Sequence, residues 1–233
     1  MNEKSKYVSF YYETVGEVPE IELNPGKTCL LVVDMQNEFV LRDFGEALWF
    51  QENGDWDRWI PFHDRLDEIV IPNTKKLIDF MRKNKIEVTY GRIACLKDTG
   101  EDRCIVQKTP GWNNMLLPVR SFAAQIIDEL KPLGDEIIVN KTTDSVLTGT
   151  NYATLLRNME IETVIVTGIV TDQCIASTVR SLADEGFKVI VAEDCCAAAS
   201  QELHDQELTI MNYIYCNIME TEEIIALIKK YLC

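Results

Sequence analysis

Residues 162–196, ETVIVTGIVTDQCIASTVRSLADEGFKVIVAEDCC, constrain this chain more than any other stretch. Thr163 to Thr167 is a short apolar, β-branched run, the pattern of a strand buried on both faces. Gly168 breaks it, and Thr171 and Asp172 are helix-capping types. From Cys174 onward Ile175, Val179, Leu182 and Ala183 recur at helical spacing until Gly186. Phe187 to Ala192 is a second buried-strand run. A strand, a helix and a second strand of this kind form a βαβ crossover, which demands a parallel sheet. Cys174 falls in the first turn of the crossover helix. There the unpaired N–H groups and the macrodipole favour a thiolate, although a small buried cysteine is the commoner use of that residue.

The rest of the chain repeats the alternation. Thr28 to Val33 (TCLLVV) reads as a strand with Asp34 at its C-terminal end. Glu87 to Ile93 is a second strand, Glu136 to Asn140 a third with Lys141 following directly, and Cys216 to Met219 a short last one. Helical patterns cover residues 63–84, with a kink or break expected at Pro72, then 121–131, 151–159, 200–213 and 220–231. Residues 35–61, rich in Phe and Trp, and residues 94–120, centred on Pro110-Gly111-Trp112, read as long loops; the first serves either as a substrate lid or as a subunit contact. Residues 1–27 read as an N-terminal arm, and the whole of 1–233 as one domain. The fold expected is an α/β, Rossmann-like three-layer sandwich with a six-stranded, mainly parallel sheet in the order 3-2-1-4-5-6.

In that order strands 1 and 4 flank the crevice where the order reverses, and ligands bind there, beyond the carboxyl ends of the strands. Asp34, Lys141 and Cys174 all fall on that edge. A thiol nucleophile needs a base, and Asp34 can take its proton and later protonate a leaving amine. Lys141 can orient Asp34 and lower the thiol pKa. The N–H groups at the start of the Cys174 helix can hold an oxyanion. Taken singly, Asp34 reads as a strand-end cap and Lys141 as a solvated lysine. Together they suit acyl transfer through a thioester.

Composition narrows the partners. With 38 Asp and Glu against 23 Lys and Arg the net charge is −15, which argues against nucleic acid and anionic membranes. Eight cysteines without a C-x-x-C pair or a disulfide-like spacing, and an N-terminus without an apolar signal core, point to a reducing cytoplasm. No G-x-G-x-x-G, Walker A or G-x-S-x-G pattern is present, which disfavours nucleotide-binding and serine-hydrolase readings.

Three blocks, LLVVDMQNEF, VNKTTDSVLTGTNYATLL and VTGIVTDQCIASTVRSLADEGFKVIVAEDCCA, together resemble the isochorismatase-like cysteine hydrolase family, in the family's order and across most of residues 27–220. The resemblance implies Asp34 as proton carrier, Lys141 as its partner, Cys174 as nucleophile and a homo-oligomer. It also implies a cis peptide at Val170–Thr171, with the Thr171 and Cys174 amides as oxyanion hole. The chain has only His63 and His204, far apart, so the metal cluster of nicotinamidases is not expected and no cofactor is implied. Cys174 argues against the vinyl-ether hydrolysis of true isochorismatases. What remains is similar to metal-free amidohydrolases of small amide, ureido or carbamoyl compounds, such as N-carbamoylsarcosine, biuret and ureidoacrylate hydrolases. The alternative is a binding or scaffold protein with the triad unused. Gln36 either faces the substrate or caps a loop. Trp112 is a candidate for an apolar wall, and Phe39, a further substrate-binding candidate, and Asn37 lie near strand ends. Arg92 either holds a substrate carboxylate in bidentate fashion or makes a structural ion pair. His204 reads as a helix-terminal or core histidine. Thr143-Asp144-Ser145-Val146-Leu147 departs from the aromatic-Ser-Ala-Phe pattern frequent after the family's lysine.

Overall fold

The computed structural model describes residues 6–14, 21–111 and 113–232. Six parallel strands form one sheet: β1 (Thr28–Val33), β2 (Glu87–Ile93), β3 (Ile138–Lys141), β4 (Thr163–Ile169), β5 (Lys188–Ala197) and β6 (Asn217–Met219). Their spatial order is 3-2-1-4-5-6, the order expected from the alternation. Every residue of β1 is essentially inaccessible, as a continuous apolar run in the middle of a covered sheet requires. Its odd and even side chains enter two separate cores. Cys29, Leu31 and Val33 join Val166, Ile175, Val179 and Leu182 on one face; Leu30 and Val32 join Leu66, Leu77, Ile78, Met81 and Ile228 on the other.

Helices cover both faces: α1 (Asn37–Val40), α2 (Gly45–Glu52), α3 (Trp56–Arg65), α4 (Ile71–Lys83), α5 (Tyr152–Asn158), α6 (Ala176–Asp184), α7 (Gln201–Met211) and α8 (Thr221–Lys229). Two expectations are corrected. Residues 35–61 are largely helical, because Trp59, Phe62 and their neighbours stack into a continuous aromatic cluster that holds α2 against α3. The 63–84 helix is divided just ahead of Pro72: a wide turn, Leu66–Val70, separates α3 from α4 and places the proline in the first turn of α4, where no N–H is needed. Residues 121–131 are turns with one 3₁₀ turn at Asp128–Leu130, because the backbone of this segment is taken up by the loop after β1: Asn37 N–H bonds Gln125 O, Glu38 N–H bonds Ala123 O, and Ile127 N–H bonds Met35 O.

Gly168 lies inside β4 and does not end it. Its φ is +115°, and a Cβ there would sit 2.0 Å from the Val33 carbonyl oxygen. The β4–β5 register slips at this point, between Val166 and Gly168. Gly168→Ala should therefore cost at least about 3 kcal/mol in denaturant unfolding or prevent soluble accumulation. A variant within 1 kcal/mol of the parent would mean that β1 and β4 are not so closely apposed. Among the described residues no helix is long and apolar enough to cross a membrane.

Candidate active site

The site is built where the C-terminal ends of β1, β3 and β4 meet. Asp34 follows β1 with φ +54°, a left-handed conformation that Asp tolerates better than most residues. Its N–H still extends the ladder to Gly91 O, while Gln36 N–H bonds back to Asp34 O, so the chain turns sharply and points the carboxylate along the sheet edge. Lys141 is the last residue of β3, opposite Ile93 of β2. Cys174 lies in the wide turn Thr171–Ile175 that leads into α6. The three are almost fully buried.

Lys141 Nζ is 2.8 Å from Asp34 Oδ2, donates to Cys174 Sγ at 3.4 Å and donates to Thr143 O at 3.1 Å. Asp34 Oδ1 accepts the Ile93 N–H at 3.0 Å. Burial works against the ammonium, but Asp34 and Cys174 hold the Lys141 pKa above its ordinary value. Burial raises the Asp34 carboxyl against the pull of Lys141. Burial and then the charge of Asp34 raise the Cys174 thiol well above the ordinary range. The sequence expectation that Lys141 and the helix start lower this pKa is thus corrected: desolvation of a thiolate at this depth outweighs both. In this arrangement ionisation of the thiol is disfavoured, and the Asp34 carboxylate lies beside it.

Gln36 is also fully buried. Its Nε2 donates to Ile93 O (2.9 Å) and Ala124 O (3.1 Å), and its Oε1 shares the Ile93 N–H (2.8 Å). Both amide donors are consumed by backbone, so Gln36 braces the Asp34 turn and has no hydrogen left for a ligand. Gln36→Leu takes the side-chain donor away from Ile93 O and leaves Ala124 O with Arg92 Nη1 alone, and should cost about 1–3 kcal/mol in chemical unfolding; an unchanged midpoint would refute the brace. Asn37 likewise spends its Nδ2 on Phe122 O. Phe39 is half-buried and packs against both cores. Trp112 lies outside the described residues.

Arg92 turns away from the triad. It pairs with Asn140, one residue short of the Ile93–Lys141 pair. Side chains alternate along a strand, so Arg92 points to the face opposite Lys141. Its guanidinium bonds Asn140 Oδ1, Gln125 Oε1, Ala124 O and Val119 O, all neutral acceptors, so the ion-pair reading is also not what is found. The cis peptide lies at Ile169–Val170, one bond before the expected Val170–Thr171. β4 runs on to Ile169 and Val170, not Thr171, caps the following turn. Thr171 N–H and Cys174 N–H belong to that turn.

Two contacts escaped the sequence, the first made by His204, which is the core histidine expected. His204 on α7 is fully buried with Nδ1 2.8 Å from Thr171 Oγ1, tying the Cys174 turn to α7. Its Nε2 faces Arg65 Nη2 at 3.1 Å and Glu193 Oε2 at 3.6 Å. Burial opposes the charge of Glu193, but hydrogen bonds from His204 and Lys6 hold that carboxyl down at about 2. The second is Asp144, whose Oδ1 lies 4.0 Å from Cys174 Sγ. An acid three residues after a lysine, in a turn-rich loop, gave no signal that it would face the thiol. His63 is elsewhere, packed on Trp56 and Phe62; among the described residues no three His, Cys, Asp or Glu gather as a metal-binding group. A cleft of about 800 Å³ lined by Tyr12, Phe187, Tyr213 and Tyr215 opens at the N-terminal ends of β5 and β6, away from the triad.

Comparison with known proteins places this geometry. Residues 28–223 match the isochorismatase domain family. The ureidoacrylate amidohydrolase RutB of Agrobacterium fabrum is 27% identical over 195 residues, covering 78% of this chain and 81% of that protein. An N-carbamoylsarcosine amidase of Arthrobacter is 28% identical over 132 residues, 54% of this chain and 49% of the amidase. A crystal structure of a cysteine hydrolase from Pseudomonas syringae superposes with a TM-score of 0.78 at 23% identity, covering 93% of this chain and 99% of that one. With the family match spanning most of the chain and the sheet order in agreement, this protein belongs to the isochorismatase domain family of hydrolases.

Proposed function

We propose that the protein hydrolyses a C–N bond of a small amide, ureido or carbamoyl compound through a covalent acyl-enzyme on Cys174. The observation that carries the reading is the contact set around Lys141 Nζ, which meets Asp34 Oδ2 at 2.8 Å and Cys174 Sγ at 3.4 Å in a buried site. The names of the amidase relatives agree with it.

Asp34 takes the proton of the Cys174 thiol as the sulfur attacks the carbonyl carbon. The N–H groups of Thr171 and Cys174 receive the oxyanion. Asp34 then gives the proton to the leaving nitrogen, the C–N bond breaks, and ammonia or an amine departs. A water attacks the thioester, Asp34 takes its proton, the C–S bond breaks, and the thiol is reprotonated. Lys141 stays charged and keeps the carboxylate aimed at each exchange. No step draws on a metal or organic cofactor.

The test is ammonia or amine release from a panel of small amides: biuret, ureidoacrylate, N-carbamoyl amino acids, nicotinamide and maleamate. Parent and Cys174→Ser are compared with and without a chelator. Chelator-resistant turnover that is lost in the variant supports the reading. Turnover that survives in Cys174→Ser, or none on any amide, overturns it.

A further inference from the structure

The proposed chemistry uses one of two carboxylates near the thiol. Asp34 is committed to Lys141 and the Ile93 N–H. Asp144 is exposed, has its Oδ1 4.0 Å from Cys174 Sγ, and among the described residues no Lys, Arg or His pairs with it.

Its position is fixed from both sides. Thr143 O accepts from Lys141 Nζ at 3.1 Å. Ser145 Oγ and Ser181 Oγ are 2.9 Å apart, and Val146 N–H donates to Thr178 Oγ1 at 3.1 Å, which anchors the loop to α6. Val146 fills the space left by Gly91, where a Cβ would sit 2.5 Å from Val146 Cγ2. The carboxylate is therefore held over the nucleophile by structure on either flank.

The charges beside the sulfur are then one ammonium, Lys141, and two carboxylates, Asp34 and Asp144. The ammonium is already matched by Asp34. Arg92, the arginine that a substrate carboxylate would have needed, points to the other face of the sheet. Among the described residues no cation pairs with Asp144, so a carboxylate on the substrate would meet its charge unscreened, whereas a cationic nitrogen would form a charge-assisted hydrogen bond with it.

We propose that Asp144 is a specificity-determining residue that selects amides bearing a positively charged nitrogen group, such as an ammonium or guanidinium, near the scissile carbonyl and disfavours carboxylate-bearing amides. The turnover part rests on the C–N hydrolase reading; the field of Asp144 at Cys174 does not.

The experiment reads that field first. Cys174 is modified with a cationic methanethiosulfonate (trimethylammonium ethyl) and an anionic one (sulfonatoethyl). The thiolate attacks the reagent sulfur, a disulfide forms and methanesulfinate leaves. Cys174→Ser supplies the background from other thiols, and the fraction of thiolate cancels in the ratio of the two rates. Asp144→Asn should lower the cation-to-anion ratio about tenfold, with a smaller change at high salt, and Asp144→Lys should lower it further. Turnover of glycinamide against succinamate, one cationic and one anionic amide, should shift in the same direction. A ratio unchanged within twofold in both variants, or a parent enzyme that prefers succinamate, overturns the proposal. If neither these two amides nor any of the panel above is hydrolysed while the reagent ratio still falls, the hydrolase reading fails and the charge selection by Asp144 stands.

Discussion

Replacing Cys174 with alanine should lower amide turnover by at least about 10⁴-fold while leaving the fold intact. In the proposed mechanism the thiol carries the covalent step, and binding and oxyanion contacts alone retain only a small residual rate. The side chain is small and buried, so its truncation should move the unfolding free energy by no more than about 1 kcal/mol. The same site makes a pH prediction. Because burial and Asp34 raise the thiol pKa, alkylation of Cys174 by iodoacetamide should rise only above the ordinary thiol range near pH 8.5. Turnover, in which by the proposed mechanism Asp34 takes the proton as the bond forms, should already run at neutral pH. A Cys174→Ala enzyme with more than a tenth of the parent rate would remove the thiol from the mechanism. An alkylation midpoint below 8.5 would mean that Lys141 and the turn N–H groups outweigh burial.

The second large effect is on stability. Lys141 and Asp34 bury their side chains at 0% and 3% exposure, 2.8 Å apart. Taking one charge away leaves the other desolvated and unpaired, which typically costs about 3–5 kcal/mol. Lys141→Met keeps much of the side-chain volume and should show that cost as a melting temperature lower by roughly 10 °C for a chain of this size. Adding Asp34→Asn removes the orphaned charge, so the double variant should regain most of the loss while remaining inactive. If the single change costs less than 1 kcal/mol, or if the double variant is no more stable than the single one, the pair is not the buried unit described above. Differential scanning calorimetry of the three proteins decides between these outcomes.

The contrast between Lys141 and Arg92 shows what the sequence could and could not disclose. Both are cations near the ends of neighbouring strands. Register puts Lys141 opposite Ile93 and Arg92 opposite Asn140, and that difference of one residue sends the two side chains to opposite faces. Nothing local to either residue states the register. Gln36 is a similar case. Its position two residues after Asp34 was legible, but its partners Ile93 O and Ala124 O are 57 and 88 residues away. The helical 35–61 segment was missed because its apolar residues are aromatic and clustered, and their stacking across α2 and α3 exists only once the chain is folded.

By itself the sequence determined the sheet and the convergence at its edge. Continuous β-branched runs separated by helix-length segments leave room only for buried parallel strands joined by crossovers, and that topology carries Asp34, Lys141 and Cys174 to one edge wherever their side chains finally point. The tertiary structure decided the rest: which cations face the thiol, which polar groups are spent on backbone, the placement of Asp144 over the sulfur, and the direction in which the thiol pKa moves. These depend on register, desolvation and contacts between residues far apart in the chain, and such quantities are properties of the packed molecule as a whole.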